Sequence, residues 1–132
     1  MRDFDRDVTQ DLAILNESSN SLSFFAGNGD GTFGDRVDYT AMGIQPYSVV
    51  AEDFNGDGFL DLAVSNSALS NILVLAGRGD GTFGPDLYEF DLSAGSAPHI
   101  MAVGDFNSDG QSDLAVANSG SNQISILFNN SR

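Results

Sequence analysis

The sequence predicts an all-β fold built from repeated four-stranded units, and three observations support this prediction. The segment DFNGDGFLDLAVSNS, which begins at Asp53, recurs at Asp105 as DFNSDGQSDLAVANS and occurs earlier, at Asp3, as DFDRDVTQDLAILNE. A second segment, GDGTFG, begins at Gly29 and again at Gly79. Each repeat also contains short segments rich in β-branched and aromatic residues, bounded by Gly, Asn, Asp, Ser or Pro, which is the composition of β-strands and their turns.

Four strands per repeat can be assigned from the second copy, where they read SVVAEDF, LDLAVSN, NILVLAG and DLYEFDL. The run Ile72–Leu75 is apolar on successive residues, so both faces of this strand should be covered by neighbouring sheets. A period of about 50 residues with four strands per unit is typical of a β-propeller. We therefore predict a single domain over 1–132, a partial β-propeller of about two and a half four-stranded antiparallel blades. Repeat 1 covers 1–45, repeat 2 covers 46–97 and partial repeat 3 covers 98–132.

Composition and charge narrow the function classes. Nineteen acidic residues against five arginines give a net charge of -14, which repels phosphate backbones and anionic lipid surfaces. We therefore expect neither nucleic-acid binding nor membrane insertion. The absence of cysteine and the single histidine exclude a thiolate site and a histidine-rich zinc site. The excess of carboxylates favours a hard cation instead.

The opening segment of each repeat has the spacing of a calcium loop. Carboxylate or amide side chains occupy positions 1, 3, 5 and 9, which are Asp53, Asn55, Asp57 and Asp61 in the second repeat and Asp105, Asn107, Asp109 and Asp113 in the third. Alternate residues of a tight loop can direct several oxygens to one centre, and calcium takes six to eight oxygens at about 2.3–2.6 Å. Position 7, Phe59 or Gln111, would contribute its backbone carbonyl. Position 12 is Val64 or Val116 rather than glutamate, so the loop is not an EF-hand.

The first loop has the same oxygen pattern but a different backbone. Its members are Asp3, Asp5, Asp7, Thr9 and Asp11. Position 6 is glycine in the other two loops, Gly58 and Gly110, whereas the first loop has Val8. Glycine suits a turn that a side chain would obstruct. We expect two Ca²⁺ sites, in the Asp53 and Asp105 loops, and the sequence leaves open whether the Asp3 loop binds a third ion.

These segments resemble the FG-GAP or VCBS repeats of integrin-α-like propellers through DFNGDGFLDLAVSNS, ILVLAGRGDGTFG and PYSVVAEDF. The resemblance implies a calcium ion in the loop between the first and second strands of each blade. It also implies that partners are engaged on the opposite face. An extracellular or cell-surface location is expected on this basis. The resemblance does not identify a ligand, because this type of blade is used for many tasks.

Three functions remain open at this point. The first is a non-catalytic module for binding or adhesion, with a protein or glycan ligand. The second is a lectin, for which Tyr39, Tyr47, Tyr88 and His99 are available, although the chain has no tryptophan. The third is an accessory part of a secreted hydrolase, although the repeat assigns most carboxylates to the loops. Ten predicted strands cannot close a propeller ring, so we expect self-association or a longer propeller chain.

Two further features have a structural interpretation. GDGTFG fits a dinucleotide-binding pattern, which requires a following helix. The residues that follow it here suggest a strand, so we predict a hairpin turn. Phe4, Phe54 and Phe106 recur at position 2 of the three loops and are expected to pack between neighbouring sheets.

Overall fold

The computed structural model describes residues 1–40 and 43–130, with the backbone alone at 85–87. Within this part of the chain there are ten β-strands, one short 3-10 helix (Glu17–Ser19) and no α-helix, which confirms the all-β prediction. The strands are β1 (Leu12–Asn16), β2 (Ser21–Phe25), β3 (Val37–Tyr39), β4 (Pro46–Glu52), β5 (Asp61–Asn66), β6 (Asn71–Gly77), β7 (Phe83–Asp91), β8 (Pro98–Gly104), β9 (Asp113–Asn118) and β10 (Gln123–Leu127). No helix in the described residues is long and apolar enough to span a membrane.

The strands form three separate antiparallel sheets. The first sheet has the order β1-β2-β3, the second has β4-β5-β6-β7 and the third has β8-β9-β10. Each sheet is a meander in which consecutive strands are neighbours, as short connections favour. By sequence repeat, β1 to β3 correspond to β5 to β7, and β8 to β10 correspond to β4 to β6.

The second sheet is buried on both faces. Its central strands β5 and β6 pair in the register Ala63↔Val74 and Val64↔Leu73, and all four of these side chains are buried. Successive side chains of a strand point to opposite faces. Burial of an uninterrupted apolar run therefore requires a cover on each side, and the expectation drawn from Ile72–Leu75 is confirmed.

An aromatic cluster joins the first sheet to the second. Phe83, at the start of β7, makes edge-on contacts with Phe4, Phe24 and Tyr39 at ring-centroid distances of 5.5, 6.0 and 5.5 Å. Leu62 lies in the same buried core. Edge-to-face aromatic pairs of this kind add about 0.5–1.5 kcal/mol beyond the area they bury.

A second core joins the second sheet to the third. Its buried members are Phe54, Ala63, Ile72, Val74, Met101, Leu114 and Val116. The two faces of the second sheet thus contribute to different cores, as alternation of side chains along a strand requires. Phe4 and Phe54 pack between sheets as expected.

The outer face of the third sheet is exposed and apolar. Phe106 is 48% exposed, so the expected packing between sheets is wrong for this member of the set. Ile124 and Ile126, the counterparts of buried Ile72 and Val74, are 75% and 40% exposed. Phe106 differs from Phe4 and Phe54 because no further sheet covers this face within the described residues.

Candidate metal centre

The three candidate loops occupy equivalent places at one end of the sheets. The second loop joins β4 to β5, and the third joins β8 to β9. The first loop precedes β1 and is closed by a bridge between Arg2 and Asp11. All three therefore end where the next strand, β1, β5 or β9, begins, with the position-9 aspartate as the first residue of that strand or directly before it.

Asparagine and aspartate side chains fold the second loop around its own backbone. The Asp53 carboxylate accepts the N–H groups of Asp57 (3.1 Å) and Gly58 (2.9 Å). Asn55 Oδ1 also accepts the N–H of Asp57, at 2.9 Å. Asp57 in turn accepts the N–H of Phe59 at 2.8 Å. These side chains keep their oxygens on the inner side of the turn, which is the local hydrogen bonding that makes such residues turn formers.

The third loop repeats this arrangement. Asp105 accepts the N–H groups of Asp109 (3.1 Å) and Gly110 (2.9 Å). Asn107 Oδ1 also accepts the N–H of Asp109, at 3.1 Å. Asp109 accepts the N–H of Gln111 at 2.9 Å. The sequence repeat is therefore also a repeat of hydrogen-bond geometry.

The first loop has the same pattern despite its different sequence. Asp3 accepts the N–H groups of Asp7 (3.2 Å) and Val8 (3.0 Å). Asp5 accepts the N–H of Asp7 at 3.2 Å, and Asp7 accepts that of Thr9 at 2.8 Å. Val8 thus does not prevent the loop from adopting this conformation.

The position-9 aspartates anchor each loop to two parts of the chain. Asp61 is fully buried, and its two carboxylate oxygens accept the N–H of Phe54 (3.0 Å) and of Gly77 (2.9 Å). Asp11 accepts from Phe4 and Gly27 in the same way, and Asp113 accepts from Phe106 and Asn129. Each buried carboxylate therefore ties its loop to the last residue of the second strand after the loop, or to a residue just beyond that strand.

Carboxylates crowd together in the first loop. Asp3, Asp5 and Asp11 each offer an oxygen, and these oxygens lie within 4.8 Å of one another. Desolvation by burial raises the pKa of Asp5, and the nearby charges of Asp11 and Asp7 raise it further. Hydrogen bonds from Thr9 lower the pKa of Asp7. The cluster therefore holds negative charge at a site where proton or cation binding would be favourable.

Burial also affects the pKa of Asp61, the buried aspartate at position 9 of the second loop. Desolvation raises the pKa of Asp61, although the N–H groups of Gly77 and Phe54 oppose this shift. The charge of Asp57 adds to the increase. An anion at this position would be stabilised by a cation in the loop.

The structure reveals one backbone requirement that sequence reasoning missed. Position 4 of each loop has a left-handed backbone, with φ of 65° at Arg6, 78° at Gly56 and 62° at Ser108. Only the second loop signals this in sequence, by having glycine there. Arginine and serine give no such signal, so the requirement could not be recognised from those copies.

Position 6 is also left-handed in all three loops, as expected from its glycines. Gly58 and Gly110 have φ of 87° and 84°, and Val8 has φ of 76°. A β-branched residue in this region is a genuine outlier. The Val8 side chain is 90% exposed, so packing does not offset the strain.

The chemistry of the donor set fits a hard cation. The predicted ligand side chains at positions 1, 3, 5 and 9 are carboxylates or amides, and each oxygen that accepts one N–H retains capacity for another contact. Among the described residues, no arginine forms an ion pair with a carboxylate of the first or second loop. Oxygen-only coordination is the preference of calcium and magnesium.

At the opposite end of the second and third sheets lies an aromatic pair. The rings of Tyr47, near the start of β4, and His99, near the start of β8, stack with centroids 4.0 Å apart and an interplanar angle of 6°. Ser119 Oγ lies 3.2 Å from His99 Nε2. The sequence pointed to Tyr47 and His99 only as side chains available to a lectin site, and the structure brings the two rings into contact. Tyr39 lies elsewhere, in the core contact with Phe83.

Comparison with known families agrees with the repeat seen in the structure. A family model described as the FG-GAP-like repeat matches residues 3–64 and 53–116. The chain belongs to the FG-GAP-like repeat family. Each match begins at position 1 of one candidate loop and extends past position 9 of the next. No curated protein and no solved structure matches the chain. Membership of the FG-GAP family suggests a β-propeller-like extracellular module.

Proposed function

We propose that this FG-GAP chain is a calcium-binding β-propeller module that binds a protein or glycan partner outside the cell and has no catalytic role. One observation carries the proposal. Three loops of different sequence adopt the same hydrogen-bonded conformation, and in each the oxygens occupy the same four positions. Forming a turn does not require an oxygen-bearing side chain at all four positions of every copy of the loop.

The proposed ligands follow from the loop positions. In the second loop they are Asp53, Asn55, Asp57 and Asp61 with the carbonyl of Phe59. In the third they are Asp105, Asn107, Asp109 and Asp113 with the carbonyl of Gln111. The first loop would bind a third ion through Asp3, Asp5, Asp7, Asp11 and the carbonyl of Thr9, because oxygens of three of these carboxylates, Asp3, Asp5 and Asp11, already lie within 4.8 Å of one another.

Bound calcium would stabilise the fold through the anchoring aspartates. Asp61 contacts the chain before β5 and the end of β6. A cation beside it neutralises a buried charge, and a ligand that binds only the folded state raises the free energy of unfolding. Calcium therefore serves as a structural element that holds the ends of the sheets in place.

We further propose that the three sheets are neighbouring blades of a propeller. The second sheet has four strands, and its two faces pack against the first and third sheets through separate cores. Face-to-face stacking of four-stranded sheets is how a propeller is built. The exposed apolar face that includes Ile124 and Phe106 would be covered by a further blade, from a longer chain or an associated copy.

The partner surface is proposed at the end of the sheets opposite the loops, where Tyr47 and His99 stack. Stacked aromatic rings that remain partly exposed provide a rigid contact surface. A lectin function gains less support, because this contact occupies one face of each ring and Tyr39 is in the core.

Thermal melting tests the proposal directly. The protein should unfold at a higher temperature in millimolar calcium than in EDTA, because extracellular modules bind calcium at about 10⁻⁴–10⁻³ M. Asp57→Ala should reduce this increase, whereas Asp35→Ala, an exposed residue outside the loops, should not. Identical melting curves in calcium and EDTA would contradict the proposed function. A glycan array distinguishes a glycan ligand from a protein ligand.

A further inference from the structure

Asn129 connects the second and third candidate loops. It lies just after the end of β10, and its backbone N–H donates to the buried carboxylate of Asp113, position 9 of the third loop, at 2.8 Å. Its side-chain amide donates to the backbone carbonyl of Phe54, position 2 of the second loop, at 2.7 Å. One residue is therefore hydrogen-bonded to both loops, and we call this pair of contacts the Asn129 bridge.

The bridge ends on a peptide group that also contacts the position-9 carboxylate of the second loop. The peptide between Phe54 and Asn55 presents its carbonyl to Asn129 and its N–H to Asp61, at 3.3 Å. The N–H of Phe54 donates to the same carboxylate oxygen at 3.0 Å. Within the three loops, all of which lie in the described residues, only the second shows a bond from the position-3 N–H to the position-9 carboxylate. A chain of hydrogen bonds thus connects Asp61 to Asp113, and the bonds of such a chain polarise one another.

The first and second sheets have glycine in the place of Asn129. By repeat these are Gly27 and Gly77, which make the same backbone N–H bond to the position-9 aspartate of their own loops. A β-carbon on Gly27 or Gly77 would lie 2.1 or 1.8 Å from a backbone carbonyl oxygen, so a side chain is excluded at both places. Glycine has no amide side chain to offer to a neighbouring loop. The bridge therefore belongs to the second and third loops and not to the first and second.

We propose that, where the second and third loops bind calcium as proposed above, the Asn129 bridge makes their binding cooperative. The carboxylates of a calcium-free loop repel one another. An ion in the third loop would hold Asp113 in place, and with it the backbone of Asn129. The amide of Asn129 then fixes the peptide before Asn55, a proposed ligand of the second loop. Part of the ordering that the second loop needs is thus complete before its own ion binds, so its affinity for calcium rises.

Calcium titrations followed by NMR test this coupling on the full chain, with the amide signals of Gly58 and Gly110 reporting on the second and third loops. Asp109→Ala removes a proposed ligand of the third loop and should weaken calcium binding in the second loop. In the Asn129→Gly background, which keeps the backbone N–H and has the glycine of the other two sheets, this weakening should be at least about fivefold smaller. Removal of the Asp109 charge acts on both backgrounds alike, so the difference between them isolates the bridge.

The coupling must also act in the other direction, because coupling between two binding sites is reciprocal. Asp57→Ala should therefore weaken calcium binding in the third loop by the same Asn129-dependent factor. Asn130→Gly makes the same chemical change at an exposed neighbour and should leave the coupling as it is in the parent. Circular dichroism melts establish that each variant is folded, and Asn129→Ala removes the same amide if Asn129→Gly does not fold.

Hydrogen exchange in EDTA tests the bridge without calcium. In Asn129→Gly the amide hydrogen of Asn55 should exchange about two- to tenfold faster relative to that of Val64 in β5, which is the range expected for the loss of one ordinary hydrogen bond. Comparison with Val64 separates a local change in the second loop from a general loss of stability, because general unfolding exposes both amides.

Three results would overturn the proposal: an equal effect of Asp109→Ala in the two backgrounds, an equal loss of coupling in Asn130→Gly, or an unchanged relative exchange rate at Asn55. Calcium uptake by both loops with no difference between the backgrounds would overturn the cooperativity alone. No calcium uptake by either loop of the parent protein would contradict the proposed calcium function as well, so the two failures are distinguishable.

Discussion

The buried carboxylate of Asp61 accepts a hydrogen bond from the backbone N–H of Gly77 at 2.9 Å, and thereby connects the start of β5 to the end of β6. The other carboxylate oxygen accepts the N–H of Phe54. Asp11 and Asp113 make the same pair of contacts in the other two loops. One residue of each loop therefore combines a structural role with the proposed role of metal ligand.

Asp61→Asn separates these two roles when it is measured without calcium. An amide presents a donor to one of two buried N–H groups that need acceptors, so the free energy of unfolding in EDTA should fall by about 1–3 kcal/mol. Asp35→Asn removes the same charge at an exposed position and should change it by less than about 0.5 kcal/mol. Urea unfolding measures both variants. Equal stability of the two would show that the buried contacts of Asp61 are not needed.

Phe83→Ala tests the aromatic cluster between the first and second sheets. Truncation of a buried phenylalanine should cost about 3–5 kcal/mol. Phe33 holds the equivalent place in the first sheet but is 38% exposed, so Phe33→Ala should cost less than about 2 kcal/mol. Chemical denaturation of the two variants provides the comparison. The account of the core would be wrong if Phe33→Ala were the more damaging substitution.

Val8→Gly and Gly58→Val test the left-handed backbone at position 6. The left-handed conformation costs a residue with a side chain about 1–2 kcal/mol, and glycine loses about 0.5–1 kcal/mol through its unfolded-state entropy. Val8→Gly should therefore stabilise the fold by up to about 1 kcal/mol. No atom lies within 4 Å of the place where a side chain at Gly58 would begin, so strain alone should destabilise Gly58→Val, by about 1–3 kcal/mol.

Val8→Ala is the control for this pair, because it removes the β-branch and keeps the left-handed strain. Its stability should lie between that of the parent and that of Val8→Gly. Thermal melts in EDTA rank the variants. A loss of stability in Val8→Gly would show that the valine side chain contributes a contact that outweighs the strain.

The sequence was a good guide wherever a signal recurred in several copies. The recurrence of Asp53, Asn55 and Asp57 in the third repeat predicted the loop, and the apolar run in β6 predicted burial on both faces. The pairing of Tyr47 with His99 was not predictable, because it depends on how two sheets pack. The left-handed backbone at Arg6 and Ser108 was also hidden, since neither residue type signals it.

The pKa of Asp61 gives calcium binding a pH dependence. Burial raises this pKa above the ordinary value of 3.8, so at pH values below the raised pKa the folded, calcium-free protein holds a proton that calcium must displace. Affinity should fall as the pH falls through the raised pKa, and binding there should release protons. In EDTA the free energy of unfolding depends on pH in the opposite direction to calcium affinity. The contribution of Asp61 to the free energy of unfolding decreases as the pH rises from about 3.8 through the raised pKa.

Calorimetric titration in two buffers of different ionisation enthalpy measures this proton release. The apparent binding enthalpy should differ between the buffers in the pH range between the ordinary and the raised pKa of Asp61, and should converge at pH values above the raised pKa. Asp61→Asn should remove the part of the difference that belongs to the second loop. Buffer-independent enthalpies across the acidic range would contradict the assignment of Asp61 as a ligand.

The most direct test of the calcium proposal is a calorimetric titration of the metal-free protein with calcium into the millimolar range at neutral pH. The account predicts saturable binding of at least two ions, at the Asp53 and Asp105 loops. The double variant Asp57→Ala/Asp109→Ala should lose both of these ions while remaining folded. No calcium uptake by the folded parent protein, or undiminished uptake by the double variant, would contradict it.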